Sequence, residues 1–186
     1  MTAGKKIWKF LRRSDAEQEP SDAAAQGAEA VSVRVRRYHR RDREAVLRIA
    51  AESFRGVCLD ENIEKAFGKT GASWQEHKMD TVDYDLEGHT ASCLVAEVDG
   101  KVVGFACNRL YHNRSVGHMA NLAVLEQYQG KGVGKALLGG SLDHFREMGM
   151  RFARIETLEQ NERGQKFYTS AGFQEVGRQI FYFKKL

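Results

Sequence analysis

The chain has 186 residues, a formal net charge of +4, and 29% charged against 42% hydrophobic residues. That length suits one domain burying roughly two-thirds of its unfolded surface and is too short for two. No stretch approaches the roughly 20 consecutive apolar residues of a membrane-spanning helix. Three widely spaced cysteines, Cys58, Cys93 and Cys107, form no CxxC pair. They argue against a disulfide framework or a zinc knuckle and suit a reducing compartment; no metal site is expected. Charge is unevenly distributed: Asp60 to Asp99 carries a net −7, leaving +11 for the remainder. One part of the molecule is built to attract cations and another anions.

Residues 1–30 read as a disordered basic and polar tail, because Ser14 to Ala30 has no buried-face pattern. Within it, GKKIWKFLRR (Gly4 to Arg13) places Ile7, Phe10 and Leu11 on one helical face, compatible with weak contact to an anionic membrane surface. Asp15, Glu17 and Glu19 follow too closely for an organelle transit peptide, no secretory apolar core is present, and a cytoplasmic protein is expected. The folded domain spans 31–186. Val31, Val33 and Val35 alternate as in a strand. Residues 42–54 repeat apolar side chains at helical spacing, with Asp42 placed as N-cap. Residues 60–87 read as helix in pieces. Ser92 to Glu97 and Lys101 to Leu110 read as strands joined by the two-residue turn Asp99-Gly100. Gly117 to Val124 is a further strand. Residues 131–148 form a long helix with Val133, Leu137, Leu138, Leu142, Phe145 and Met148 on one face. Phe152 to Thr157 is a strand, Glu162 to Ser170 a helix, and Phe173 to Lys184 one or two final strands around Gly177. Strands mixed with helices, plus a hairpin, imply an α/β fold with a mixed sheet covered by helices.

The most informative segment is LAVLEQYQGKGVGKALL, Leu122 to Leu138. An apolar strand runs into Gln129-Gly130-Lys131-Gly132-Val133-Gly134, which opens a helix. Glycines let a backbone approach a ligand closely. The first-turn N–H groups of a helix, its dipole, and the charges of Lys131 and Lys135 together suit a phosphate. The P-loop pattern fails, because Gln129 stands where a glycine is needed and Ala136 where Ser or Thr is needed. The dinucleotide pattern fails as well, because the glycines read GxGxG. A glycine-containing helix start without a ligand stays open on spacing alone.

At this segment the chain resembles the GNAT superfamily, the acyl-coenzyme A-dependent N-acetyltransferases. QGKGVG matches the signature Q/R-x-x-G-x-G/A, and NLAVLEQYQ resembles the preceding strand and loop. About thirty residues on, NERGQKFYTSAGF (Asn161 to Phe173) is similar to the family's N-x-x-A-x-x-[FL]-Y-x-x-x-G-F segment, with Gly164 in place of the usual alanine. The resemblance covers residues 32–186. It implies a splayed, mixed central sheet with acetyl-CoA as cosubstrate between two parallel strands. Its diphosphate is expected on the backbone of Gln129, Gly130, Lys131, Gly132, Val133, Gly134 and Lys135. Its pantetheine arm is expected along Leu122, Ala123 and Val124, with Asn161 hydrogen-bonded to it. Tyr168 holds the family's tyrosine position near the sulfur and is assigned as general acid, since a phenol of pKa about 10 stays protonated at pH 7.

The acceptor amine must lose a proton, directly or through water. His118, six residues before Val124, is expected on the same strand face and is the first candidate base. Water, Glu126, His112, Asn121 and Tyr111 remain alternatives. The resemblance thus implies direct amine attack on the thioester. The acidic block between Asp60 and Asp99 points to a cationic small molecule, or a peptide or protein amine. A homodimer is compatible with the family. Two other readings compete: a catalytically silent CoA- or partner-binding module, and a basic nucleic-acid binder using Arg34, Arg36, Arg37, Arg40, Arg41 and Arg43. Charge alone supports the last, and no nucleic-acid partner is expected.

Overall fold

Asp99 and Gly100 both take positive φ, 50° and 73°, the turn that matches the twist of a tight hairpin. They join β2 (Leu94–Val98) to β3 (Lys101–Tyr111), which pair antiparallel. A computed structural model describes residues 31–186, so the expected disordered tail and membrane contact at residues 1–30 lie outside the described residues. The sheet has five strands in the order β1-β2-β3-β4-β5, with β1 at Arg34–Arg37, β4 at Val116–Val124 and β5 at Phe152–Ile155. All neighbours are antiparallel except β4 and β5, which run parallel. This is the expected mixed, splayed sheet. No helix among the described residues is long and apolar enough to cross a membrane.

Helices cover both faces. Helix α1 (Arg43–Ser53) buries Val46, Ile49 and Ala50, and α3 (Trp74–Gly88) buries Trp74, Val82 and Leu86. They lie with the short α2 (Leu59–Phe67) over one face, where Arg109 of β3 reaches Asp85 of α3. On the other face lies α4 (Val133–Glu147), joined by α5 (Glu162–Ser170). There Asn108 of β3 donates to Ser141 Oγ of α4 at 3.0 Å. The buried stripe of α4 contains Val133, Leu137, Leu138 and Phe145 as the periodicity requires. Met148 falls outside it, 41% exposed beyond the last turn. Ser141 and His144 are buried instead, held by Asn108 and Ser92.

Three expectations are corrected. Asp42 stands at the N-cap of α1, but its carboxylate accepts from the His39 N–H (2.8 Å) and the Arg36 guanidinium (2.6 and 2.9 Å) rather than from the helix. Arg36 also binds Glu97 of β2 at 2.6 Å, so this arginine is tied into the domain. Beside that guanidinium the Asp42 carboxyl sits below the usual carboxylate range. Second, residues 173–186 form no strand. The apolar run Ile180 to Phe183 suits a strand, but it does not pair with the outer edge of β5. The segment leaves the sheet instead, the Phe183 ring lying 5.2 Å from that of Phe67 on α2. Val176, Ile180 and Tyr182 remain 99%, 74% and 88% exposed.

Third, β4 is not a regular strand. Cys107 pairs with Asn121 and Asn108 with Met119, so Ala120 is an extra residue, a β-bulge. The bulge shifts the alternation. Val124 faces α4, close to Leu137, whereas His118, opposite Arg109, faces the α1/α3 side. His118 and Val124 therefore lie on opposite faces, contrary to the spacing argument.

Candidate active site

The parallel contact between β4 and β5 is short. Val116 to Met119 pair with Phe152 to Ile155, and past Ala120 β4 continues paired with β3 only. Along Leu122 to Val124 the edge toward β5 is open, a wedge that an extended ligand can enter by pairing with backbone.

At the end of that wedge the chain turns into α4. Gly130 and Gly132 take φ of 77° and 85°, left-handed values that glycine adopts without a Cβ penalty. A Cβ at either would meet nothing within 4 Å, so the turn is open above the backbone. The amides of Gly130 to Lys135, six in succession, donate to no protein acceptor among the described residues; the first α4 bond runs from Ala136 N to Gly132 O. Side-chain capping is absent at this helix start. Six unsatisfied donors at the positive end of a helix are a receptor for an anion. Lys135 is exposed, and the Lys131 ammonium lies 5.8 Å from the centre of the Tyr128 ring.

Gln129, expected in this row of amides, has another task. Its N–H donates to Glu126 O at 3.0 Å, while its side-chain amide donates to Val124 O at 2.8 Å and accepts from Arg163. It latches the turn to the end of β4 and to α5. Phe167 of α5 completes the docking, lying 3.7 Å from where a Gly134 Cβ would stand. Asn161 is likewise engaged. Its Oδ1 accepts from Gly164 N at 3.0 Å, capping α5, and its Nδ2 donates to Thr157 Oγ1 at 2.8 Å. One N–H and one lone pair remain for a ligand. A Cβ at Gly164 would lie 2.5 Å from Asn161 Nδ2, so an alanine there requires the Asn161 side chain to shift.

Tyr168 is half-buried on α5, its ring 5.3 Å from Phe167 and 6.2 Å from Phe173. Burial pushes its phenol up to about 12, so it keeps its proton at neutral pH. No side chain or backbone group among the described residues takes that hydrogen bond.

His118 is buried at 4% exposure on the α1/α3 side of the sheet. Its Nε2 lies 3.0 Å from Glu156 Oε1, although the approach is oblique to the ring N–H direction. Glu156 follows β5 and is held on its other oxygen by Arg154 Nε at 3.0 Å. The close approach of His118 and then of Arg154 keeps the Glu156 carboxyl below its ordinary value, against the opposing effect of burial. Tyr111 stacks near His118, with ring centres 6.0 Å apart. Sequence reasoning named Tyr111 and His118 and missed Glu156, because only the parallel register of β5 brings position 156 beside 118. Of the other candidates, Glu126 is exposed in the turn after β4 and His112 is exposed beyond β3. Asn121 is buried in a polar network with Asp85 and Lys78.

The acidic block is largely engaged within the fold. Asp83 binds Arg43, Asp85 binds Arg109, Glu97 binds Arg36 and Glu61 binds Lys65. Glu64 accepts from Trp74 N, and Glu76 closes the capping box of α3 with Ser73. The three cysteines are buried free thiols.

Residues 44–173 match the family model described as the acetyltransferase (GNAT) family. The chain belongs to that family. It is therefore an acyltransferase, and the fold expected from the resemblance is the fold observed. It is 28% identical over 141 residues to an uncharacterized N-acetyltransferase of Archaeoglobus fulgidus, covering 73% of this chain and 89% of that one. It is 34% identical over 102 residues to an N-alpha-acetyltransferase of Sulfurisphaera tokodaii, covering 49% of this chain and 61% of that protein. The crystal structure of the PaiA N-acetyltransferase of Thermoplasma acidophilum in complex with coenzyme A superposes with a TM-score of 0.65 at 22% identity, over 80% of this chain and 93% of that one.

Proposed function

We propose that this acyltransferase moves an acetyl group from acetyl-CoA to a primary amine by direct attack on the thioester. The observation that carries the proposal is the row of six undonated amides from Gly130 to Lys135 at the start of α4. These donors, flanked by Lys131 and Lys135, fit a diphosphate in number and in charge. The open edge of β4 from Leu122 to Val124 supports an extended arm paired with backbone, and Asn161 retains one donor toward it. Bound acetyl-CoA supplies the activated acyl carbon.

The residues then divide the proton work. His118 takes the proton of the acceptor ammonium, directly or through water. Glu156, with Oε1 at 3.0 Å from Nε2, is the carboxylate nearest the imidazole. Tyr168 keeps its proton at neutral pH and gives it to the departing sulfur. With the acidic block engaged internally, the acceptor is assigned only as a primary amine on a small molecule or a peptide.

Three measurements test this. Acetyl-CoA at about 100 times its Kd stabilises the native state by about 2.7 kcal/mol, which raises Tm by roughly 5–10 °C for a domain of this size. An unmoved Tm removes the cradle. Tyr168→Phe lowers kcat about 10²- to 10⁴-fold with acetyl-CoA affinity retained, and unchanged turnover removes its acid role. A chain that binds acetyl-CoA but releases no thiol with any amine of a broad panel is the silent binding module instead.

A further inference from the structure

Helix α3 carries an amine that the proposed reaction does not use. Lys78 points from α3 toward the sheet and is half-buried. Its Nζ lies 2.6 Å from Asn121 Oδ1 and 4.0 Å from the centre of the Phe54 ring. The next contacts fix the polarity of this arrangement. Asn121 Nδ2 donates to Asp85 Oδ2 at 2.9 Å, and the fully buried Asp85 also accepts from Arg109 Nε at 2.7 Å. An ionised carboxylate only accepts, so the Asn121 NH₂ must face Asp85 and its carbonyl must face Lys78. A fixed carbonyl oxygen and an aromatic face together receive an ammonium group.

The position of this receptor matters as much as its chemistry. Asn121 immediately follows the bulge residue Ala120, where β4 parts from β5 and its open edge begins. If the arm of acetyl-CoA enters along that edge, its reactive end comes to the same fork. Burial also lowers the Lys78 pKa, against the opposing influence of the groups facing it, Cys58, Asp60, Cys107 and Asp85. A larger share of this side chain is thus neutral amine at a given pH than for a solvated lysine.

We propose that Lys78 is an internal acetyl acceptor, modified by its own active site when no external amine fills the Asn121–Phe54 receptor. The inference rests on the acetyl-CoA site described above. In the step, neutral Nζ attacks the thioester carbonyl carbon, the carbon–nitrogen bond forms and the carbon–sulfur bond breaks. Of the three ammonium protons, one stays on the amide nitrogen, one ends on the thiol sulfur and one goes to solvent. The product lysine is uncharged and can no longer present an ammonium to Asn121.

The test incubates the full chain with isotope-labelled acetyl-CoA and follows label at each lysine by tandem mass spectrometry. Lys101 and Lys184 are exposed and report uncatalysed acetylation in the same sample. Because Nζ is held at the fork, Lys78 is expected to label at least about tenfold faster than either. Unfolding in urea should abolish the difference, and Tyr168→Phe should slow Lys78 alone. Lys78 labelling no faster than Lys101, in a chain whose Tm rises with acetyl-CoA, overturns the inference and leaves the proposed function standing. A chain whose Tm does not respond to acetyl-CoA overturns both.

Discussion

Gly117 offers a sharp test of how the sheet is packed beside His118. A Cβ built there would stand 2.3, 2.4 and 2.6 Å from Cγ, Cδ1 and Cδ2 of Phe145. Ordinary carbon contacts are about 3.5–4.0 Å, so Gly117→Ala requires the ring or the strand to move by more than 1 Å, roughly. The ring has little room to retreat. Phe145 is 3% exposed on α4 and belongs to a cluster with Met119 and Leu138. Overpacking a closed core costs about 1–3 kcal/mol, and rigid enclosure on both sides places this case near about 3 kcal/mol. For a chain of this length that corresponds to a fall in Tm of roughly 6–12 °C. Urea unfolding with an unchanged m-value measures it directly. The added methyl should be accommodated when the ring is shortened, so Gly117→Ala combined with Phe145→Leu should cost less than the two single changes summed. A Gly117→Ala protein within about 0.5 kcal/mol of the original, or strict additivity in the double variant, would refute the packing argument.

Gly139 gives the opposite outcome. It lies inside α4 with nothing within 4 Å of a built Cβ, so Gly139→Ala should raise stability by about 0.5–1 kcal/mol in the same assay. Gly132→Ala meets no neighbour either, but its φ of 85° makes alanine adopt a left-handed backbone costing about 1–2 kcal/mol. Acetyl-CoA affinity measured by calorimetry should fall about tenfold as the cradle relaxes. The buried His144 has its pKa lowered below the ordinary 6.5, first by desolvation and then by Arg37. Below that pH the unfolded chain takes up a proton that the folded chain refuses, so stability declines as pH drops from about 6.5. His144→Gln should flatten urea-derived stability between about pH 6.5 and 5, above the range where the carboxylates with lowered pKa titrate.

The legible parts of this protein were the local ones. Asp99-Gly100 specifies its turn by backbone sterics, and the glycines at 130 and 132 announce an open helix start because glycine alone takes their φ without a Cβ penalty. Helix α5 was bounded correctly at Glu162 and Ser170, its cap and apolar spacing lying within one short segment. What escaped was set by pairing between distant strands. Ala120 looks like any strand residue, and only the pairing with β3 shows that it is surplus. Glu156 meets His118 through the register of β5, for which residues 150–157 hold no signal. The closing segment differs from its expectation for a related reason. The β-prone residues of Phe173 to Lys184 record a capacity for pairing, whereas whether they join the outer edge of β5 is decided by packing. Sequence counts the charges of the acidic block without showing which of them pair with Arg43, Arg109 or Arg36.

Gly164 carries a warning for anyone who would harden this enzyme by averaging its sequence over relatives. Alanine at that helical position is the substitution such averaging would choose, with a gain of about 1 kcal/mol anticipated from backbone entropy. Here the incoming methyl would crowd Asn161, whose amide nitrogen stands 2.5 Å from the site. Shifting that side chain weakens the cap on the first turn of the helix that carries Tyr168, offsetting up to about 1 kcal/mol of the gain. The swap that strengthens a cousin would leave this protein no firmer and loosen the helix that carries Tyr168.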